Sequence, residues 1–117
     1  MTNNLIRARS YQFALNAIQL YKKLIKSNEF VLSKQFLKAA TSIGANVEEA
    51  LAGQTRKDFL SKMSIASKEA RECHCWLRLL RDGNMIPTEV LKPYLDKSDE
   101  LIKILTAIVK TTSLNEK

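Results

Sequence analysis

The stretch Thr41–Gly53, "TSIGANVEEALAG", decides how this chain folds. Its apolar residues recur every three or four positions, which is typical of a helix with one buried face. Gly44 lies inside this pattern, although a glycine in a helix interior costs about 1 kcal/mol relative to alanine. With the residues before it, the stretch predicts a helix over about residues 31–52. Gly44 predicts a place where another backbone comes close to that helix.

The same spacing occurs in three further segments. The predicted helices cover about residues 3–27, 31–52, 56–82 and 88–113. The chain contains only 3 Gly and 2 Pro, few for a protein rich in turns, and the connections between the helices are short. These features predict a single all-α domain over residues 1–117, built as an up-down-up-down four-helix bundle.

The ends of the predicted helices carry local signals. Thr55 followed by Asp58 predicts a capping box at the start of the third helix, and Gly83 in "RDGN" is suited to the left-handed position after its end. Thr88 is the expected N-cap of the fourth helix. Pro93 is expected either to kink that helix or to separate its first turn. The terminal "LNEK" is expected to fray.

Small residues predict how the second and third helices meet. Ala40 and Gly44 are four positions apart, as are Ala66 and Ala70 in the third helix. Small residues that face small residues let two backbones approach, and this close packing would offset the cost of the glycine.

A polar seam is expected along the edge of this interface. Its members are Ser42, Asn46, Glu49 and Glu69. A buried carboxylate needs hydrogen bonds or a cationic partner, so we expect Asn46 and Ser42 to meet Glu69, or a base near it. Asn46→Ala would then cost about 1–3 kcal/mol.

Composition and charge narrow the class of protein. The chain has 117 residues and a net charge of +7, and residues 1–47 contain seven basic residues against Glu29 alone. A basic half of this kind favours a polyanionic partner, most often nucleic acid; the alternative is a basic surface with no specific partner. No signal peptide or membrane span is visible, which favours a cytoplasmic protein with reduced thiols.

The candidate nucleic-acid-binding residues are the basic side chains on the predicted outer faces. They are Lys22, Lys23, Lys26, Lys34, Lys38, Arg56, Lys57, Lys68, Arg71 and Arg78. Their pattern is consistent with phosphate contacts, which position a protein without reading sequence. Arg56 and Lys57 are also expected to benefit from the exposed amides at the start of the third helix.

The sequence contains few candidate residues for catalysis or for metal binding. In "CHC", Cys73 and Cys75 point to nearly opposite sides of a helix, and His74 is the only histidine, so a tetrahedral metal site cannot be completed. We expect a buried Cys73 and a half-exposed Cys75. A di-metal carboxylate site would need Glu-x-x-His pairs, and the Arg–His spacing differs from that of helical ribonucleases. We therefore expect no enzymatic activity, no metal and no cofactor.

Apolar residues exceed what one bundle needs to bury. The surplus predicted for the first, third and fourth helices consists of Tyr11, Leu15, Ile65, Trp76, Leu79, Leu101, Ile104, Leu105 and Ile108. A surplus of this kind predicts a self-association surface; the alternative is a wide buried stripe in a small monomer.

Two stretches of the chain resemble a known family. Residues 36–50, "FLKAATSIGANVEEA", and residues 56–80, "RKDFLSKMSIASKEARECHCWLRLL", resemble the four-helix bundle proteins encoded in intervening sequences of bacterial 23S rRNA genes. The same superfamily includes the accessory variability determinant of diversity-generating retroelements. An Ala-x-Ser-Ile-x-x-Asn-x-x-Glu-Gly element is matched by Ala40, Ser42, Ile43, Asn46 and Glu49, whereas Ala50 stands where glycine is usual. Later elements are matched at Asp58-Phe59, Ile65-Ala66, Lys68 to Glu72 and Trp76-Leu77, and Cys75 stands where an aromatic residue is common.

The resemblance implies a left-handed bundle that forms a basic homopentamer. Family members from retroelements bind nucleic acid and a reverse transcriptase, and no catalytic residues carry over. The function that we expect is therefore a non-enzymatic, pentameric protein that binds RNA or DNA through phosphate contacts. The alternative is an adaptor for a protein such as a reverse transcriptase, with no nucleic-acid affinity of its own.

Overall fold

The computed structural model describes residues 2–115, which fold into four α-helices with no strand among them. These are α1 (Thr2–Lys26), α2 (Val31–Leu51), α3 (Arg56–Asp82) and α4 (Thr88–Asn115). Every end lies within two residues of its predicted position. Over the same residues, none of the helices has the length and apolar character needed to cross a membrane.

The helices lie side by side as a four-helix bundle. Helix α2 packs against α1 and α3, and α4 packs against α3 and α1. The bundle is elongated, 48 Å long and about 20 Å across. Side chains from all four helices meet in one core, and twelve large apolar side chains in it are fully buried.

The apolar spacing predicts a buried face in each helix, and the face expected for α1, made of Ile6, Phe13, Ala17, Leu20 and Leu24, is buried. Phe36 of α2 is fully buried, although the apolar spacing of that helix predicts a buried face made of Leu37, Ala40, Ile43, Gly44, Val47 and Leu51. In α4, Leu101, Leu105 and Ile108 belong to the core, and Ile104 is half-buried against it. Their assignment to a surplus apolar surface is therefore wrong, because α4 needs them to cover α1 and α3.

Gly44 approaches a different helix from the one that its spacing predicted. A Cβ atom built on Gly44 would lie 3.6 Å from the backbone oxygen of Ser10 in α1. Ser10 is itself buried, and its hydroxyl donates to the carbonyl of Arg7 at 3.3 Å. The close approach at Gly44 is thus between α1 and α2, and the predicted pairing of Gly44 with the small residues of α3 is wrong.

The turns that end α1 and α3 each contain an asparagine in the left-handed region, Asn28 with φ 63° and Asn84 with φ 57°. Gly83 was predicted for such a position, but its φ is −79°. Glycine is favoured at position 83 because of close packing, since a Cβ atom there would lie 2.8 Å from the carbonyl oxygen of Leu79. Asparagine tolerates the left-handed region better than most residues, which explains why it follows the helix.

Half of the predicted capping box of α3 is present: the Thr55 side chain accepts a hydrogen bond from the backbone N–H of Asp58 at 3.0 Å, whereas the described residues show no return bond from the N–H of Thr55 to the Asp58 carboxylate. Helix α4 begins at its predicted residue but differs from its prediction in the role of Thr88, at Pro93 and at its C-terminal end. Thr88 is its first helical residue rather than its cap, and the helix runs continuously through Pro93. At the other end, Leu114 and Asn115 are helical rather than frayed. Residues 116 and 117 of the predicted frayed tail lie outside the described residues.

Candidate nucleic-acid interface

All ten predicted nucleic-acid-binding residues are exposed, but they do not form one continuous site. Lys22, Lys23 and Lys26 lie on the last two turns of α1, and Lys34 and Lys38 on the first two turns of α2. We call these five residues the lysine cluster. The remaining five lie along α3, where Arg56 and Arg78 are separated by about 33 Å of helix axis.

Two members of the lysine cluster lie near carboxylates, since Lys23 lines a groove with Glu89 of α4 and Lys38 acts on Glu69 of α3. Within the described residues, none of its members forms a salt bridge; the ion pairs of the structure lie elsewhere. Glu29 lies in the turn between the two helices, but its carboxylate accepts hydrogen bonds from the backbone N–H groups of Val31, Leu32 and Ser33. That carboxylate is therefore engaged by the start of α2. The lysines are left available for an external anion.

The Glu29 interaction was not foreseen from the sequence. The three N–H···O distances are 3.2, 2.9 and 2.6 Å, and the Ser33 hydroxyl donates back to the carbonyl of Glu29 at 2.8 Å. Partial burial opposes ionisation of this carboxyl, but the hydrogen bonds from Leu32, Ser33 and Val31 outweigh it and lower its pKa. The side chain thus satisfies first-turn amides that a helix otherwise leaves unpaired.

Two of the predicted arginines are engaged with α4. A guanidinium nitrogen of Arg56 donates to the backbone oxygen of Asn115 at 2.7 Å, and one of Arg71 donates to the hydroxyl of Thr106 at 3.0 Å. Arg56 therefore satisfies a carbonyl at the last turn of α4, where a cation also interacts favourably with the helix dipole. Lys57 has no salt bridge among the described residues.

The polar seam lies at the edge of the α2–α3 interface, but its members are not joined as predicted. The side-chain amide of Asn46 donates to the backbone oxygen of Ser42 at 2.8 Å, within α2. Residues 2–115 contain no hydrogen bond from either residue to Glu69, so that expectation is wrong. Glu49 instead pairs with Lys62 of α3 at 3.0 Å.

Glu69 is half-buried and lies in a mixed electrostatic environment. Partial burial, followed by repulsion from Glu72, raises its pKa, while Lys38 and Lys68 act in the opposite direction. Lys38 of α2 thus lies close enough to act on a carboxylate of α3. This makes Lys38 a weaker candidate for phosphate contact than the other members of the lysine cluster.

The "CHC" residues have separate structural roles. Cys73 is fully buried and Cys75 half-buried, as predicted, and both are free thiols. Burial raises the pKa of Cys73, so its thiol stays protonated. His74 Nδ1 lies 2.7 Å from the hydroxyl of buried Ser98, whose hydroxyl also lies 3.1 Å from the carbonyl of Leu95. Burial, and then the charge of Arg78, lower the pKa of His74.

The geometry contains no arrangement typical of a catalytic or metal centre in the part of the chain that it describes. No group of three His, Cys, Asp or Glu side chains among residues 2–115 could hold a metal ion. A cleft of about 550 Å³ opens between the start of α3 and the end of α4, and its described lining includes Thr55, Arg56 and Asn115 but no His, Cys, Asp or Glu.

Sequence reasoning missed two kinds of surface residue. Lys97 and Lys110 of α4 are exposed and form no salt bridge within the described residues, whereas Arg7 and Arg9 pair with Glu48 and Glu100. Phe30, in the turn between α1 and α2, is 59% exposed and lies between the two groups of lysines along the chain. Its place between two groups of lysines is the signal that could have identified it.

The fold and surface define a class of small four-helix bundle with exposed basic faces. The family model described as "23S rRNA-intervening sequence protein" matches residues 2–107, and the chain belongs to this family. A similar solved structure is that of a protein with unknown function from the S23 ribosomal protein family of Bacteroides thetaiotaomicron. It is 42% identical, the match covers 94% of this chain and 99% of that one, and the TM-score is 0.91.

The family resemblance inferred from the two middle helices is thus confirmed. No curated protein matches the chain. Neither the description of the family nor that of the solved structure indicates an enzymatic activity.

Proposed function

We propose that this protein is a non-enzymatic nucleic-acid-binding protein that contacts phosphates through its basic helices. The observation that carries the proposal is the lysine cluster. It places five exposed cations at one end of the bundle without a salt bridge among the described residues. Phosphate contacts of this type need positive charge and free donors but no fixed sequence of bases.

Self-association belongs to the same proposal. Tyr11 and Leu15 are 66% and 43% exposed on α1. Tyr11 lines a groove of about 280 Å³ between α1 and α2, together with small residues such as Ala14 and Ala45 and the ion pair of Arg7 and Glu48. An up-down-up-down, left-handed bundle could assemble through this face as a homopentamer. Light scattering should then give five times the chain mass of 13.3 kDa, and a monomer would contradict the pentamer.

Filter binding of RNA and of duplex DNA at two salt concentrations tests the proposed function. Each phosphate contact should contribute about −0.9 to the slope of log K against log salt for a duplex, and about −0.7 for a single strand. Replacing Lys23, Lys26 and Lys34 together by alanine should lower affinity and flatten that slope by about 2 to 3.

A matched control removes three positive charges that are already paired. Lys62, Lys92 and Lys103 form salt bridges with Glu49, Asp96 and Asp99 at 3.0–3.2 Å. Replacing these three by alanine changes the net charge equally but should leave most of the salt slope intact. Equal losses in both triple variants would show that only net charge matters and would contradict a localised site.

The alternative function is that of a protein adaptor, for example to a reverse transcriptase. The exposed apolar side chains at the end of the bundle, Phe30 and Val31 among them, favour this alternative. It predicts no affinity for RNA or DNA even at low salt. That outcome would refute the nucleic-acid proposal.

A further inference from the structure

Phe30 presents an aromatic ring to solvent in the turn between the two groups of lysines that form the lysine cluster. The chain has four phenylalanines, and the other three contribute to the core: Phe13 and Phe36 are buried, and Phe59 packs against the core. Phe30 is 59% exposed and the adjacent Val31 is 73% exposed. The ring is therefore free to meet a partner, and the fold of the isolated chain does not account for its position.

The turn that carries Phe30 is held by hydrogen bonds. The backbone N–H groups of Asn28 and Glu29 donate to the carbonyls of Ile25 and Leu24, each at 3.0 Å. The Glu29 carboxylate, which precedes Phe30 in the chain, accepts from the first amides of α2. A ring presented on a fixed turn loses little conformational freedom when it binds, which favours affinity.

Cations lie on both sides of the ring along the chain. Lys26 ends α1, and Lys34 lies four residues after Phe30, about 6 Å further along the helix axis. Both side chains are exposed, and neither forms a salt bridge within the described residues. An aromatic face flanked by free lysines is the combination with which proteins bind single-stranded nucleic acid.

We propose that Phe30 is a stacking platform for an unpaired base, with Lys26 and Lys34 binding the phosphates on either side of that base. This inference rests on the proposed function and adds the class of nucleic acid: single strands or loops rather than duplexes. Bases inside a duplex stack on each other and cannot place a face on Phe30, whereas unpaired bases can be splayed out onto an aromatic side chain. Every base has such a face, so binding is tolerant of sequence.

Fluorescence anisotropy with labelled oligouridylate, oligothymidylate and an RNA duplex of the same length tests the inference. Phe30→Ala should weaken binding of both single strands by about 5- to 150-fold, the range that removal of one stacking contact produces. Binding of the duplex should change by less than about twofold, because its phosphate contacts remain.

Conservative variants separate stacking from apolar contact. Phe30→Tyr keeps the aromatic face and should bind single strands like the wild type. Phe30→Leu keeps an apolar side chain without that face and should behave like Phe30→Ala. Val31→Ala removes a neighbouring exposed apolar side chain and should have no effect. Because Phe30 and Val31 are exposed, thermal melting of each variant should match the wild type, which excludes misfolding.

The outcomes also separate this inference from the proposed function. If the wild type binds single strands and Phe30→Ala binds them equally well, the stacking platform is refuted while phosphate binding stands. Equal losses for single strands and duplex, or a loss in Val31→Ala as large as that in Phe30→Leu, would likewise refute stacking. If the wild type binds none of the three probes at low salt, both the inference and the proposed function fail.

Discussion

Replacing Glu29 tests whether one side chain holds the start of α2. Its carboxylate accepts hydrogen bonds from Val31, Leu32 and Ser33, and the shortest, to the N–H of Ser33, is 2.6 Å. Glu29→Ala would leave these first-turn amides without a protein acceptor. Glu29→Gln would keep one acceptor oxygen but remove the charge.

The expected magnitude follows from these contacts. Replacing a capping side chain by alanine costs about 0.5–2 kcal/mol, and a negative charge at a helix N-terminus contributes about 0.3–1 kcal/mol. Glu29→Ala should therefore lower the free energy of unfolding by about 1–3 kcal/mol at neutral pH. For a chain of this length, that corresponds to a fall in Tm of roughly 4–12 °C. Glu29→Gln should show about half of this effect.

The pH dependence gives a second, independent test. The pKa of Glu29 is lowered in the folded protein relative to its ordinary value of 4.5. A carboxyl of this kind stabilises the fold fully above its unfolded-state pKa, and the contribution is lost as the pH falls through the folded-state value. The difference in unfolding free energy between wild type and Glu29→Gln should thus be full at pH 7. It should shrink as the pH falls below 4.5.

Urea denaturation followed by circular dichroism, at one protein concentration and several pH values, measures both effects. Glu48→Gln is a matched control, because Glu48 lies in α2, the helix whose start Glu29 caps, and pairs with exposed Arg7. Exposed ion pairs contribute about 0–1 kcal/mol, so this control should change stability little. If both Glu29 variants unfold like the wild type at pH 7, the proposed role of the carboxylate is refuted.

Three further substitutions have defined expectations, each measured by urea denaturation. Gly44→Ala should leave the free energy of unfolding unchanged or raise it by up to about 1 kcal/mol, because the added Cβ lies at an ordinary contact distance from Ser10. A loss above about 1 kcal/mol would show that α1 and α2 pack too tightly for a methyl group. Asn46→Ala should change the free energy of unfolding by less than about 0.5 kcal/mol, since the side-chain amide of Asn46 donates to the carbonyl of Ser42 in its own helix. A loss of about 1–3 kcal/mol would instead support the predicted contact with Glu69. Arg56→Ala should cost about 0.5–1 kcal/mol through its contact with the end of α4, whereas Lys57→Ala should cost nothing measurable.

The helices could be predicted closely because their signal is repeated many times. Each helix presents its apolar face over five or more turns, so an error at one position does not move the pattern. The face of α3 shows this: the spacing predicts Phe59, Met63, Ala66, Ala70, Cys73, Leu77 and Leu80 as core residues, and all but the half-buried Phe59 are buried.

Partners across the bundle could not be predicted in the same way. Gly44 lies on the side of α2 that meets α1, and the spacing of small residues alone gave no means of choosing between α1 and α3. Asn46 had a local acceptor, the carbonyl of Ser42, one turn earlier in its own helix. A short polar side chain often bonds to backbone nearby rather than to another helix. The residue types on the two sides of an interface do not show whether such a side chain bonds to its own helix or to the neighbouring helix.

The candidate site depends on the part of the chain where periodicity gives no information. In "SNEFV" the helical pattern stops, and an isolated apolar residue in such an interruption is as consistent with a buried contact as with an exposed one. Phe30 is exposed because Asn28 turns the backbone in the left-handed region and Glu29 holds the next helix by its amides. The exposure of Phe30 depends on the backbone geometry of Asn28, Glu29 and Phe30, whereas the lysines around it can be read directly from the sequence. The positive charge of the site was therefore predictable from the sequence. The aromatic face that would make it selective for unpaired bases was not.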